Sequence, residues 1–110
     1  MDAFELHELD ATRQERGELY LEFLRVPSMS MGLYVLPAGG TDPQQPHTED
    51  EVYVVMNGRG QIRCGDEDRP VQAGSVVFVP AKMVHYFHSI VEDLHIYVCF
   101  SPAEYSLREQ

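Results

Sequence analysis

Three side chains stand out for the chemistry they can do together: His47, Glu51 four residues on, and His85 far downstream. Two imidazoles and a carboxylate are donor types that divalent transition metals take from proteins. Each group stands on or beside a short apolar strand pattern bounded by Gly and Pro. The later one is Gly74-Ser75-Val76-Val77-Phe78-Val79-Pro80-Ala81-Lys82-Met83-Val84-His85. Side chains alternate between the faces of a strand, so Gln45, His47, Glu51 and Tyr53 share a parity that can point inward together. His85, Phe87 and Ser89 do likewise. A carboxylate taken inside without a partner is costly or is forced to protonate, and a cation beside Glu51 is the economical solution. The competing reading is an exposed His47–Glu51 pair in an acidic loop, where Glu49 and Asp50 read as solvated.

The elements that must position these residues are strands. Residues 18–26 and 30–36 are rich in aliphatic and aromatic side chains, and Pro27 and Pro37 close them. Residues 52–56 and 61–64 flank Asn57-Gly58, the strongest short hairpin signal, because both central residues of a type I′ turn need positive φ. Gly65-Asp66-Glu67-Asp68 and Ala73-Gly74 are further turns, residues 75–79 a strand ended by Pro80, and residues 85–90 and 94–100 the last two strands. One helical turn is expected at residues 10–16, with Asp10 as its cap. Short strands with frequent turns and no long helical period mean an all-β antiparallel sandwich or barrel.

Bulk properties exclude several classes. The 110 residues carry a net charge of −10, which disfavours nucleic acid, and for the same reason an anionic membrane surface. Apolar residues make up 44%, ordinary for a globular protein. No apolar run approaches the ~20 residues of a membrane span. Residues 1–5 lack the basic start and apolar core of a secretory signal, and Cys64 and Cys99 lack close metal-motif spacing. Both cysteines read as reduced core thiols of a cytoplasmic protein.

The two motifs resemble those of the cupin superfamily. Gly39, five residues, Gln45-Pro46-His47, three residues, Glu51, six residues and Gly58 match its first motif; Gly74, five residues, Pro80, then His85, three residues and Ser89 match its second. The resemblance implies a jelly-roll barrel over residues 18–100, with an N-terminal segment (1–17) and a tail (101–110), as a single domain. It puts His47, Glu51 and His85 on one metal, with Gln45 in the fourth ligand position. This chain departs from the family pattern at three places. Gln45 replaces the first His, Lys82 stands where Gly is usual, and Ser89 where Asn is usual. If the Gly position has positive φ, Lys82 costs roughly 1 kcal/mol or more there.

Two imidazoles and a carboxylate match the facial triad of mononuclear iron(II) oxygenases, which leaves positions open for substrate. Gln45 adds only a neutral amide oxygen, tilting the site toward iron, manganese or nickel, although zinc and copper also bind such ligands. The expected function is a metal-dependent, dioxygenase-like enzyme acting on a small oxygen-bearing organic substrate. Two alternatives stay open: redox-neutral isomerase or lyase chemistry on a sugar or organic acid, and small-molecule binding without turnover. Tyr34, Tyr53 or His88 could supply a general base if they face the pocket. Tyr34, Tyr53, Phe78 and Phe87 are the aromatic candidates for core packing or pocket wall. His7, His88 and His95 fit neither motif and read as surface or interface residues. The apolar N-terminal strands exceed what one small barrel needs, and small cupins commonly pair through such strands, so a homodimer is expected.

Overall fold

A computed structural model describes residues 1–43 and 46–107. Helix α1 (Leu6–Arg16) precedes six strands: β1 (Tyr20–Val26), β2 (Met29–Leu36), β3 (Asp50–Cys64), β4 (Glu67–Gln72), β5 (Val76–Val79) and β6 (His85–Ser101). Their order is β1-β2-β6-β3-β4, with β5 also on β3, and every pairing is antiparallel. The expected antiparallel β-barrel is the architecture observed.

Two long strands organise it. β3 and β6 pair from Asp50↔Ser101 to Cys64↔His85, and the register slips repeatedly between Val55 and Gln61. Such bulges bend a strand and raise its twist, letting one strand serve both faces of a closed sheet. At the bend Gly58 has φ 95°, and a Cβ there would lie 2.1 Å from the Asp93 carbonyl oxygen. Asn57-Gly58 is therefore not the expected hairpin turn. The positive φ is spent on a bulge where β3 and β6 touch, and the residues on both sides stay paired to β6. The two strands expected at 85–90 and 94–100 are likewise halves of β6. Gly65-Asp66 and Ala73-Gly74 do turn the chain, while Glu67 and Asp68 belong to β4.

Inside the barrel, Tyr53, Val55, Ile62, Phe87, Ile96 and Phe100 are among the buried apolar residues. The inward parity expected for Glu51 and Tyr53 holds, with Val55 continuing the row. A second cluster, Leu9, Leu21, Leu33 and Val35, lies where α1 packs on the sheet. The helix is longer than the expected turn and begins after Glu5. Asp10 is inside it, accepting hydrogen bonds from Arg13 and Gln14 at 3.0 Å each. Its single buried residue, Leu9, leaves no apolar period to read, and the helix is held by that one insertion and by Gly17, whose left-handed φ of 65° ends it.

Three further expectations are corrected. Phe78 is 60% exposed on β5, because its parity faces away from the barrel, so it is not core; it borders a cavity with Val76, Val77 and Arg69 that is separate from the one beside His47. Glu49, expected in solvent, is buried. Cys64 and Cys99 are free thiols, half-buried rather than core.

Candidate metal centre

His47 sits in the loop that enters β3, Glu51 is the second residue of β3, and His85 opens β6. Along the ladder His85 is opposite Cys64, at the far end of β3 from Glu51. The bend at residues 55–61 folds the two halves of β3 over one another and brings the ends together. One donor atom from each of His47, Glu51 and His85 then lies within 4.8 Å of the others, and all three residues are buried. The loops are tied as well. The Lys82 N–H donates to the His47 carbonyl at 2.7 Å, and the Ala81 N–H donates to the Asp50 carboxylate at 2.9 Å.

The hydrogen bonds decide which ring atoms are available. Nδ1 of His85 lies 2.7 Å from the Met83 carbonyl, which can only accept, so that nitrogen carries the hydrogen. In the neutral ring Nε2 is then a lone pair, 2.7 Å from Glu51 Oε1 and 2.9 Å from the Tyr53 hydroxyl. His47 is the mirror case. Its Nε2 is 2.8 Å from a Glu104 carboxylate oxygen and donates to it, leaving Nδ1 3.5 Å from Glu51 Oε1. Nδ1 of His47 and both Glu51 oxygens are buried without an aligned hydrogen bond among the described residues, although His85 Nε2 is close to Oε1. Acceptors converging in a buried space are stable only with a cation between them, either a proton or a metal ion. The donor set therefore fits a divalent metal, with the second nitrogen of each ring held by an oxygen.

Without a metal ion that demand falls on protons. Burial opposes charge on His47, but hydrogen bonds to Glu104 and Glu51 outweigh it and raise the imidazole to about 9. Burial likewise opposes charge on His85, and Glu51 and the Met83 carbonyl reverse the effect, so its pKa is raised. For Glu51 burial pushes upward, yet the two imidazoles hold it below the usual carboxylate range.

The cluster adjoins a cavity of about 310 Å³, lined by Tyr20, Tyr34, His47, Phe100, Glu104 and Tyr105 among others. The His47 ring lies between Phe100, at 4.6 Å between centroids, and Tyr105, stacked at 5.1 Å. Of the aromatic candidates, Tyr34 lines this cavity. Tyr53 and Phe87 are in the core, packed edge to face at 4.9 Å. Gln45 lies outside the described residues. His88 pairs with Asp68 on the outer surface, His95 faces Asp10, and His7 is exposed near Glu8.

Sequence reasoning missed Glu104, Tyr105 and Glu49. The Glu49 carboxylate accepts the backbone N–H groups of Tyr105 and Leu107 and the Thr48 hydroxyl, seating the segment after β6 beside His47. The Glu104 N–H donates to the Ser30 hydroxyl at 2.8 Å. Nothing in the spacing marks a glutamate 53 residues beyond Glu51 as its neighbour.

Residues 32–100 match the family model described as Cupin domain. An uncharacterised protein of Streptomyces coelicolor is 54% identical over 104 residues, covering 94% of this chain and 99% of that protein. The solved structure of TT1209 from Thermus thermophilus superposes with a TM-score of 0.75 at 22% identity, over 94% of this chain and 99% of that one. That of BH2720 from Bacillus halodurans does so with a TM-score of 0.74 at 18% identity, over 92% and 82%. Both show the fold alone. The motifs, the bent barrel and the family match agree, and this chain belongs to the cupin family.

Proposed function

We propose that His47, Glu51 and His85 hold a divalent metal ion, iron, manganese or nickel in preference to zinc or copper, and that the protein is a metal-dependent enzyme of dioxygenase type. The observation that carries this reading is the set of buried acceptors with no aligned hydrogen bond among the described residues, Nδ1 of His47 and both oxygens of Glu51. A bound ion supplies Lewis acidity toward a substrate oxygen and, if it is iron, a route to dioxygen chemistry. The chain's own residues do the rest. Glu51 offsets the ion's charge, the two imidazoles set its geometry, and Glu104 keeps the hydrogen of His47 on Nε2. The mostly apolar cavity walls hold a small oxygen-bearing organic substrate and exclude water. Gln45, in the fourth position by family resemblance, completes the proposed ligand set.

One observation favours a second reading. Glu104 is a carboxylate at the cavity wall, hydrogen-bonded to His47 and able to move a proton in redox-neutral isomerase or lyase chemistry. Elemental analysis of the parent beside His47→Ala and His85→Ala tests the centre. Near-stoichiometric metal lost in both folded variants supports it, and no metal after reconstitution sinks it. Oxygen uptake dependent on iron(II) supports the dioxygenase reading, and turnover without oxygen uptake supports the second. Metal without any turnover leaves a small-molecule-binding protein.

The homodimer and the cytoplasmic compartment belong to the same proposal. Free Cys64 and Cys99 suit a reducing compartment. Leu9 of α1 covers Leu21, Leu33 and Val35, while Val76 (66% exposed) and Phe78 stand out on edge strand β5. Pairing is therefore inferred through β5. Light scattering at micromolar concentration should give a dimer that Phe78→Glu converts to monomer, and a monomeric parent would end the inference.

A further inference from the structure

A second set of reactive groups lies outside the His47–Glu51–His85 cluster. On β6 the alternation of burial breaks: Phe87 and Ile90 are both buried, and neither His88 nor Ser89 between them is. The ladder breaks at the same place. Gln61 of β3 pairs with His88, but Arg59, two residues back, pairs with Glu92, four residues on. Ser89 sits in this bulge with a φ of 50°, a conformation that a non-glycine residue adopts at a cost. Strain of this kind persists where the surrounding structure demands it, and it gathers at functional sites.

In a regular strand neighbouring side chains point to opposite faces and do not meet. Here the bulge sets a hydroxyl and an imidazole side by side, with Ser89 Oγ 3.0 Å from His88 Nδ1. The other ring nitrogen, Nε2, is 2.9 Å from a carboxylate oxygen of Asp68 on β4. A carboxylate only accepts, so Nε2 carries the hydrogen. In the neutral ring Nδ1 is then a lone pair, and the Ser89 hydroxyl donates to it. The second Asp68 oxygen lies 3.9 Å from the Arg63 guanidinium, which steadies the carboxylate. Hydroxyl, imidazole and carboxylate form one relay, the arrangement that makes a serine nucleophilic. The relay opens onto space. Ser89 and His88 line a cavity of about 280 Å³ with Gly40, Thr41, Asp42 and Tyr86 among others, and none of the three metal-cluster residues lines it.

We propose that Ser89 and His88 are catalytic residues of a second site, one that hydrolyses small esters of aromatic alcohols, and that Asp68 is its positioning residue. Ser89 Oγ attacks the ester carbonyl carbon as its proton passes to His88 Nδ1, and Thr41 in the cavity wall offers a hydroxyl to the oxyanion. The bond from carbon to the alcohol oxygen then breaks, and the proton on Nδ1 leaves with the alcohol. Water adds to acyl-Ser89 and gives its proton to His88; the acid departs and that proton restores the Ser89 hydroxyl. Ester and water are consumed, and acid and alcohol are formed. Exposed Tyr86, its ring 5.7 Å from that of His88, gives an aromatic leaving group a surface to pack on. The Asp42 carboxylate in the wall disfavours an anionic substrate.

The probe is 4-nitrophenyl acetate, given to the protein as purified and again with a chelator present. Release of 4-nitrophenol is followed, and acid-quenched samples are mapped by mass spectrometry. The parent should turn over repeatedly at the same rate with and without chelator, and carry acetyl on Ser89. Ser89→Gly removes the hydroxyl and suits the positive φ, so it should lose turnover and adduct while its urea midpoint rises. His88→Gln should slow turnover about a hundredfold. Asp68→Asn should slow it with folding unchanged, and Asp68→Glu should recover part of the loss, which a merely structural role would not give. Full turnover in Asp68→Asn would remove Asp68 from the relay. Hydrolysis no faster than in buffer, a rate lost on chelation, equal turnover in parent and Ser89→Gly, or acetyl found only on other residues would each overturn the assignment.

Discussion

At the scale of single residues, the site depends on side chains that do not touch the proposed ion. Glu104 accepts from Nε2 of His47 and so leaves Nδ1 facing Glu51. Glu104→Gln weakens that hold, and it should lower metal affinity roughly ten- to a hundredfold while the fold persists, read by competition against a chelator. Lys82 is the opposite case, a residue at odds with its backbone. Its φ is 67°, and its side chain is exposed while its N–H serves His47. Lys82→Gly keeps that N–H, so it should stabilise the protein by about 1 kcal/mol in urea unfolding with metal content unchanged. The resemblance to the family pattern had singled out Lys82 as out of place, and the left-handed backbone bears that out. Ser89, where Asn is usual, also has positive φ, 50°.

At the scale of elements, β3 and β6 make the site by bending. Their halves are straight, pairable strands, and each half is legible as a run of alternating burial. The bend was not legible, because Asn57-Gly58 carries the same local chemistry in a bulge as in a hairpin, namely a positive φ. Only the partner strand distinguishes them: Asn57 pairs with His95 and Arg59 with Glu92, both on β6. Gly58→Ala drives a methyl into the Asp93 carbonyl at a backbone angle that Ala resists. It should cost more than ~2 kcal/mol and reduce metal loading together with stability, since it disturbs the fold-back that joins Glu51 to His85. Normal loading in a destabilised Gly58→Ala protein would separate the bend from the site. α1 was under-read for a related reason, since a helix that buries one leucine shows no stripe.

For the molecule as a whole, the site couples stability to metal and to pH. A metal that binds the folded chain alone stabilises it by mass action, about 2.7 kcal/mol at a hundredfold excess over Kd. Chelation should therefore lower Tm in the parent and leave His85→Ala unmoved. In the metal-free protein, His47 and His85 have raised pKa values. Their contribution is full below the ordinary imidazole range and is lost as pH rises through their folded values, about 9 for His47. Glu51 and Glu49 are lowered, and their contribution is lost as pH falls below the ordinary carboxylate range. Stability of the metal-free chain should accordingly be greatest in mildly acidic solution and decline toward pH 9, while the metal-loaded protein should decline less. Urea midpoints across pH, with and without metal, check both signs, and a metal-free protein that gains stability between pH 7 and 9 would contradict the imidazole assignment.

What the sequence determined by itself was local and periodic. Alternating apolar runs made strands, Gly and Pro bounded them, and two motifs at family spacing named His47, Glu51 and His85 together. These features depend on neighbours within a few residues, which a linear reading can see. The tertiary structure alone decided that Glu49 is buried, that it seats Glu104 and Tyr105 beside His47, that Phe78 faces outward, and that the Tyr20 ring packs over Gly32 of β2. Each of those outcomes depends on where a bent barrel closes and on what the segment after β6 meets there. Such contacts join residues tens of positions apart, and no spacing in the chain encodes them.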